Sequence, residues 1–340
     1  MSDAAIRYQA LTPDLAEALV DCVRAVYGEH YSLPEFYDVQ RIRDLLEHGL
    51  LHAVVGLDAQ GMIVATLGAQ LESPDAITID GRTGMVRAEY RQHGVLKDLG
   101  GMMVDVYSRP EICGIQMYAV MFHAISQRHG IEHGSFVTGL LPAHFPPSMV
   151  PAEYPACRGR VGAVSMYYPL RPLPPASVCL PVQYHDFLSK LYARHDISRT
   201  EIIPHQPPDG VATRLEFLHN DRTAASSVRL TAIGTDCTAV LDTVVVKAQE
   251  RGDTVVYLDI PLADPASTLA VDLANQRGFF FGALLLARKA GDLLRLQKML
   301  APDAIVPGEM QVYSDEAQHM LDFVRDDARR VSHESGKEVY

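Results

Sequence analysis

Apolar and polar residues follow two different periods along this chain, and each change of period marks a predicted helix or strand. Apolar residues recur at helical spacing over 15–26, and again over 39–46 and 95–107, which predicts three amphipathic helices. Two apolar runs joined by a turn at 58–61 predict a β-hairpin, and a further strand is predicted over 114–122. The resulting order of helices and strands predicts an α+β fold with a mixed, mainly antiparallel central sheet flanked by helices.

The second half of the chain repeats this order of elements. A proline-rich stretch separates the halves, so the chain is divided into a domain at 1–145, an extended connector at 146–176 and a second domain at 177–325. The stretch DLLRLQKML near the end of the second domain is predicted to be an edge element, strand or helix. The tail at 326–340 has few apolar residues and is predicted to fray.

Length and composition agree with two ordinary globular domains. The chain has 340 residues, of which 48% are hydrophobic and 21% charged. Two domains of about 150 residues each fit that length. Five cysteines without a CxxC pair suit reduced thiols. The sequence has no HExxH pattern, and no metal is expected.

The net charge limits the kinds of partner that the protein is expected to bind. A formal net charge of -12 disfavours non-specific binding to nucleic acid or to an anionic membrane. The N-terminus lacks the basic and apolar regions of a secretion signal, and the apolar run GFFFGALLLA has about half the length of a membrane-spanning helix. We therefore expect a cytoplasmic protein.

One strand-to-helix junction, VRAEYRQHGVLKDL at 86–99, carries the main chemical signal. A glycine in a tight turn lets the chain approach a ligand closely, and the first N–H groups of the following helix point outward at the positive end of its dipole. Such a junction favours a phosphate group. The alternative is an exposed turn before an ordinary amphipathic helix.

The segment AEYRQHGVLKDL resembles the PEYRGxGVGxxL form of the acyl-CoA-binding motif of the GNAT acyltransferase superfamily. The surrounding order of elements resembles one GNAT domain, and the second half resembles a degenerate GNAT-like domain without the motif, so a tandem GNAT-like fold is expected. The resemblance implies acyl-CoA or acetyl-CoA as co-substrate. Its pyrophosphate would be held by the main chain of Arg91, Gln92, His93, Gly94, Val95 and Leu96, and its pantetheine by Met85, Val86 and Arg87. Leu96 departs from the family's usual glycine or alanine.

The segment that follows the predicted strand at 114–122 lacks the tyrosine by which many members of this family protonate the leaving thiolate. It offers His123 and Ser126 instead. A neutral histidine takes a proton near pH 7, and a serine orients it or donates to the thiolate. The structural alternative is that both side chains cap the short helix predicted near Ser126.

Three tyrosines, Tyr27, Tyr31 and Tyr37, crowd the loop between the first two helices, where members of this family commonly build acceptor specificity. Their rings and hydroxyls are candidates for acceptor contacts, and the alternative is that they cover the sheet.

The sequence therefore predicts an acyltransferase that moves an acyl group from CoA, or from the pantetheine of an acyl carrier protein, to an amine or hydroxyl of a small molecule. Two alternatives stay open: a non-catalytic ligand-binding or sensor protein, and an enzyme that decarboxylates or hydrolyses the thioester. A homodimer also stays open.

Overall fold

The structure, a computed structural model, describes residues 6–91, 94–106, 108–152, 154–301 and 304–335. These residues form two compact units. The first contains the described residues up to Met117 together with Ser148–Ala156 and Pro169–Arg171, and the second contains the others.

The first unit holds the predicted helices and hairpin at its start. Its elements are β1 (Arg7–Ala10), α1 (Ala16–Tyr27), α2 (Val39–Glu47), β2 (Leu51–Leu57), β3 (Ile63–Leu71), β4 (Thr78–Gly81), β5 (Met85–Val86), α3 (Val95–Val106) and the first part of β6 (Gly114–Val120).

The sheet of the first unit is centred on β3. The strand order is β1-β2-β3-β4-β6, antiparallel except for the parallel pair β4 and β6, and β5 pairs with β3 beside β4. Helices α1 and α3 both pack against β3, which is why seven of its nine residues are buried. The predicted hairpin of β2 and β3 is confirmed. Its turn is fixed because the Asp58 carboxylate accepts N–H bonds from Gln60 and Met62, and Gly61 takes a φ of +82°.

The second unit follows with the end of β6 and a longer series of elements. They are α4 (Ile125–Glu132), β7 (Phe136–Phe145), β8 (Val161–Pro169), β9 (Ala176–Val178), α5 (His185–Arg194), β10 (Arg199–Glu201), β11 (Arg214–Asn220), β12 (Ala225–Ala232), α6 (Cys237–Glu250), β13 (Val255–Pro261), α7 (Ser267–Asn275), β14 (Phe280–Arg288), β15 (Gly291–Met299) and α8 (Asp315–Ser335).

The sheet of the second unit runs in the order β8-β7-β14-β15-β13-β12-β11, and all neighbours are antiparallel except β12 and β13. The predicted fold class, a mixed and mainly antiparallel sheet flanked by helices, is thus confirmed. The stretch DLLRLQKML was expected at an edge, but it forms β15 between β14 and β13. Neighbouring strands pair with both of its edges, and its apolar side chains are buried.

The segment predicted as a connector contains a sheet strand. Strand β8 lies within 146–176, and its first seven residues are buried beside β7. The prolines lie on either side of this strand and at its last residue, where no ladder N–H is needed. High proline content therefore concealed a strand within the predicted connector, and the predicted division into two domains stays a prediction.

The tail is helical instead of frayed up to Ser335, and its last five residues lie outside the described part of the chain. Helix α8 packs on β7 and β14 through an apolar stripe at spacings of three and four, made of Ala317, Met320, Leu321, Val324, Ala328 and Val331. Asp327 accepts hydrogen bonds from the Tyr184 hydroxyl and the Phe281 N–H. The spacing of the few apolar residues, and not their number, determines this helix.

Candidate functional site

Strands β4 and β6 run parallel for three residues, and their pairing then ends. The register joins Thr78 to Gly114, and the last pair is Asp80 opposite Gln116. After β4 the chain returns to the sheet as β5, whose partner among the described strands is β3. The first unit therefore has two parallel strands that pair over only three residues, and the junction that leads into α3 lies between them in the chain.

The residues predicted to meet pantetheine lie along the edge of β3. Met85 and Val86 form β5, with Met85 buried and Val86 half-buried. The Arg87 main-chain N–H donates to the Val64 carbonyl at 2.8 Å, and its Nε donates to the Ile63 carbonyl at 2.8 Å. This short strand is therefore held firmly against β3 on one side.

The turn before α3 has the geometry of an anion site. Gly94 lies at a φ of +73°, and a Cβ added there would meet nothing within 4 Å. Its carbonyl accepts the N–H groups of Lys97 and Asp98. Among the described residues, the N–H groups of Val95 and Leu96 have no acceptor, so they face outward at the positive end of the helix dipole. The Leu96 side chain is half-buried. The other two predicted contacts, Gln92 and His93, lie outside the described residues.

One carboxylate stands close to this helix terminus. Asp98, in the first turn of α3, accepts a hydrogen bond from the Tyr8 hydroxyl at 2.9 Å. Burial raises the pKa of Tyr8 to about 12, and the bond to Asp98 adds to the shift, so the phenol remains a donor. The acidic side chain stabilises the helix but lowers the positive potential at its start. An anion bound there would depend on the main-chain N–H groups.

The tyrosine loop contacts the chain between β4 and β5. The buried Tyr31 donates its hydroxyl to the Arg82 carbonyl at 2.5 Å. The Tyr37 hydroxyl accepts the Tyr31 N–H and donates to the Gly28 carbonyl, both at 2.8 Å. The Tyr27 ring stacks on Tyr31 with centroids 5.0 Å apart. Tyr31 and Tyr37, two of the three tyrosines predicted to contact the acyl acceptor, therefore use their hydroxyls to hold the loop in place.

Replacing Tyr31 by phenylalanine is expected to destabilise the protein by about 0.5–1.5 kcal/mol, because the part-buried hydrogen bond from its hydroxyl to the Arg82 carbonyl is lost. Urea unfolding followed by circular dichroism measures the change. The matched control is Tyr313→Phe, which deletes an exposed hydroxyl bound to Glu132 and should change stability by less than about 0.5 kcal/mol. Equal losses in the two variants would show that the Tyr31 bond contributes nothing specific.

Arg91 lies among groups that the sequence gave no reason to connect. Its Nε donates to the Val86 carbonyl at 2.9 Å, and its guanidinium carbon lies 6.0 Å from the centre of the Tyr154 ring. Burial raises the pKa of the half-buried Tyr27 to about 12, and the Arg91 charge opposes part of this shift. The predicted turn residue and one predicted acceptor contact are thus neighbours, and Tyr154 joins them from the segment predicted as a connector.

Asp80 is a second residue that sequence reasoning missed. It is 7% exposed, lies opposite Gln116 at the last pair of β4 and β6, and its Oδ2 lies 3.4 Å from Nη2 of Arg82. The neighbouring guanidinium fixes the position of the carboxylate and favours its ionised form, the form that can accept a proton. No motif marks a lone aspartate in a strand, so only the strand pairing singles it out.

The predicted catalytic residues lie in the second unit. His123 Nδ1 accepts the Ile125 N–H at 3.2 Å and so caps α4. The Ser126 hydroxyl is buried and has no hydrogen-bond partner within the described part of the chain. The same helix carries His129, which is followed by His133. Burial lowers the pKa of His129, and the His133 ring 4.2 Å away lowers it further. Capping is the role that these contacts favour for His123.

The described residues also bear on metal binding and on membrane insertion. Over the described ranges, no group of three or more histidine, cysteine, aspartate or glutamate side chains is placed to hold a metal ion. None of the described helices is both long enough and apolar enough to cross a bilayer.

Comparison with known proteins gives resemblances to solved structures over about half of this chain. An acetyltransferase of the GNAT family from Staphylococcus aureus has 16% identity and a TM-score of 0.34, covering 49% of this chain and 100% of its own. The PaiA N-acetyltransferase of Thermoplasma acidophilum, in complex with coenzyme A, has 11% identity and a TM-score of 0.35 and covers 48% and 99%. The GNAT-family N-acetyltransferase YhbS of Escherichia coli, in complex with CoA, has 14% identity and a TM-score of 0.33 and covers 50% and 84%. No protein-family model matches the chain. No curated protein matches it either.

Proposed function

We propose that the first unit is an acyltransferase domain that binds an acyl-CoA at the turn before α3 and transfers its acyl group to an amine or hydroxyl of a small molecule. One observation carries the proposal: the chain that links two briefly paired parallel strands contains a glycine turn, and the first N–H groups of the helix after it have no acceptor among the described residues. The resemblance of the turn to the GNAT motif gives the ligand its class.

The donor site uses main-chain groups. The N–H groups of Val95 and Leu96 would bind the pyrophosphate, and the open space at Gly94 admits a phosphate close to the chain. Met85, Val86 and Arg87 lie next to this turn along β3, where an extended pantetheine arm would run. A bound acyl-CoA supplies the activated thioester.

Asp80 is the proton acceptor that we propose for the attacking group. Attack on the thioester carbonyl forms the new C–N or C–O bond, breaks the C–S bond and releases one proton from the nucleophile. A carboxylate held at the end of the β4 and β6 pairing takes that proton, and the departing thiolate is protonated by solvent. The Arg82 guanidinium orients the carboxylate.

The sequence-derived assignments of His123 and Ser126 to catalysis and of Tyr27, Tyr31 and Tyr37 to the acceptor stay predictions. Their replacement should be tested by measuring acyl transfer. His123, Tyr31 and Tyr37 also make the hydrogen bonds described above, so each of these three residues has a structural role as well.

Titration calorimetry with CoA and acetyl-CoA tests the donor site. We expect the wild type to bind both, and Gly94→Trp to weaken binding at least about tenfold, because an indole over the turn blocks two N–H groups that each contribute on the order of 1.5–3 kcal/mol to a charged acceptor. The matched control is Gly61→Trp, since Gly61 also has a positive φ and open space but lies in the hairpin turn. Equal weakening in both variants, or none in Gly94→Trp, would contradict the site.

Thiol release separates the alternatives. Acetyl-CoA binding with CoA release that requires an added amine or alcohol supports transfer. Release without an acceptor supports hydrolysis of the thioester, and binding without release under any condition supports a sensor. Binding of an acylated carrier protein in place of free acyl-CoA would identify the carrier protein as the acyl donor.

For the second unit we propose a GNAT-like domain that does not bind CoA. At its corresponding junction, between β12 and α6, the Asp236 carboxylate accepts the Thr213 N–H at 2.7 Å, and the Thr213 hydroxyl accepts the Gly234 N–H at 2.9 Å. A Cβ on Gly234 would collide with the backbone at Val211. The chain at 211–213 therefore lies against Gly234 before α6, and the Asp236 carboxylate would repel a phosphate there.

A further inference from the structure

A short segment of the proline-rich region belongs to the first unit and lies beside the turn. This segment is Ser148–Ala156. It is fixed by burial of Met149 and Pro151, and the Tyr154 N–H donates to the Pro151 carbonyl at 2.9 Å. The half-buried Tyr154 ring is thereby held in a defined place.

The guanidinium of Arg91 lies over the ring of Tyr154. The guanidinium carbon lies 6.0 Å from the ring centre, and the Nε bond to Val86 holds the arginine at the base of the turn. The Tyr27 phenol borders the same arginine. Arg91 lies three residues before Gly94 in the chain, so a permanent cation with the Tyr154 ring beside it belongs to the same junction as the first N–H groups of α3.

This combination suits a ligand that carries both phosphate and a planar base. A guanidinium and helix N–H groups bind phosphate oxygens, and an aromatic face stacks on a base regardless of its hydrogen-bonding edge. We propose that Tyr154 contacts the purine of the donor, so that the site selects a nucleotide-bearing thioester over a carrier-bound phosphopantetheine. The inference rests on the proposed donor site and adds a specificity residue to it.

The test compares two ligands that differ only in the nucleotide. Acetyl-CoA and acetyl-4′-phosphopantetheine are titrated calorimetrically into the wild type, Tyr154→Leu and Tyr313→Leu. We expect Tyr154→Leu to weaken acetyl-CoA about tenfold, within the range measured for base stacking on aromatic side chains, and to leave acetyl-4′-phosphopantetheine unchanged. Tyr313→Leu removes an exposed tyrosine of the second unit and should change neither.

Each other outcome is decisive. Equal weakening of both ligands by Tyr154→Leu would mean that the ring acts by holding Arg91, and it overturns the purine contact. No weakening, or tighter wild-type binding of acetyl-4′-phosphopantetheine than of acetyl-CoA, overturns it too. Failure of the wild type to bind either ligand contradicts the proposed donor site itself.

A second variant, Tyr154→Trp, tests the same contact if Tyr154→Leu does not fold. The chain contains no tryptophan, so Tyr154→Trp places a single indole reporter against Arg91. Its fluorescence should change on adding acetyl-CoA and stay constant on adding acetyl-4′-phosphopantetheine at saturation. The same response to both ligands would overturn the purine contact.

Discussion

Replacing Asp80 by asparagine is expected to lower kcat for acyl transfer by about 10² or more and to leave the Kd of acetyl-CoA unchanged. A positioned general base typically contributes 10² to 10⁴ in rate, and the amide keeps the shape of the side chain but cannot accept the proton. The measurement is release of CoA thiol in the presence of amine and alcohol acceptors, with the Kd obtained by calorimetry.

Two variants accompany this test. Asp38→Asn changes a carboxylate of the same unit whose role is to cap α2 through the Arg41 N–H, and it should keep kcat. His123→Ala changes the base that the sequence suggested. Full activity in Asp80→Asn together with loss in His123→Ala would transfer the role to the histidine.

The largest expected loss of stability follows from replacing Arg295 by methionine. The guanidinium binds both oxygens of Asp259, at 2.7 and 2.8 Å, and donates to the Tyr118 hydroxyl at 3.2 Å. The Asp259 side chain is only 3% exposed, so its charge would remain buried without its cation. Removing one partner of such a pair costs about 3–5 kcal/mol, measurable by urea unfolding.

A matched pair exists in the same unit. Arg277 binds both oxygens of Asp242, at 2.7 and 3.0 Å, but that carboxylate is 61% exposed. Arg277→Met should cost less than about 1 kcal/mol, because water replaces the arginine. Similar losses for the two variants would contradict the role assigned to burial. The double variant Arg295→Met with Asp259→Leu should recover much of the loss, since no charge is then left in the interior.

The sequence determined those features that depend on residues close together in the chain. Helices α2 and α3 and the hairpin of β2 and β3 are present as predicted, because periodicity and turn residues act within one element. The turn at Gly94 was found for the same reason, since a glycine before an amphipathic helix is a local signal. The alternation of helices and strands was also sufficient to predict the fold class.

Where local signals conflicted, the sequence misled. Prolines concealed β8, and the polar composition of the tail concealed α8, whose apolar stripe is stabilised only by the sheet beneath it. Helices of marginal composition gain most of their stability from packing, and a count of apolar residues does not measure that gain.

Only the tertiary structure decided which side chains meet. Asp80 acquires its position from the end of the β4 and β6 pairing, and Tyr154 reaches Arg91 across a long stretch of chain. The Tyr31 hydroxyl binds the Arg82 carbonyl, a main-chain group 51 residues away in the chain. The physical reason is that a site combines groups brought together by strand register and packing, whereas sequence patterns report the neighbours of each residue along the chain.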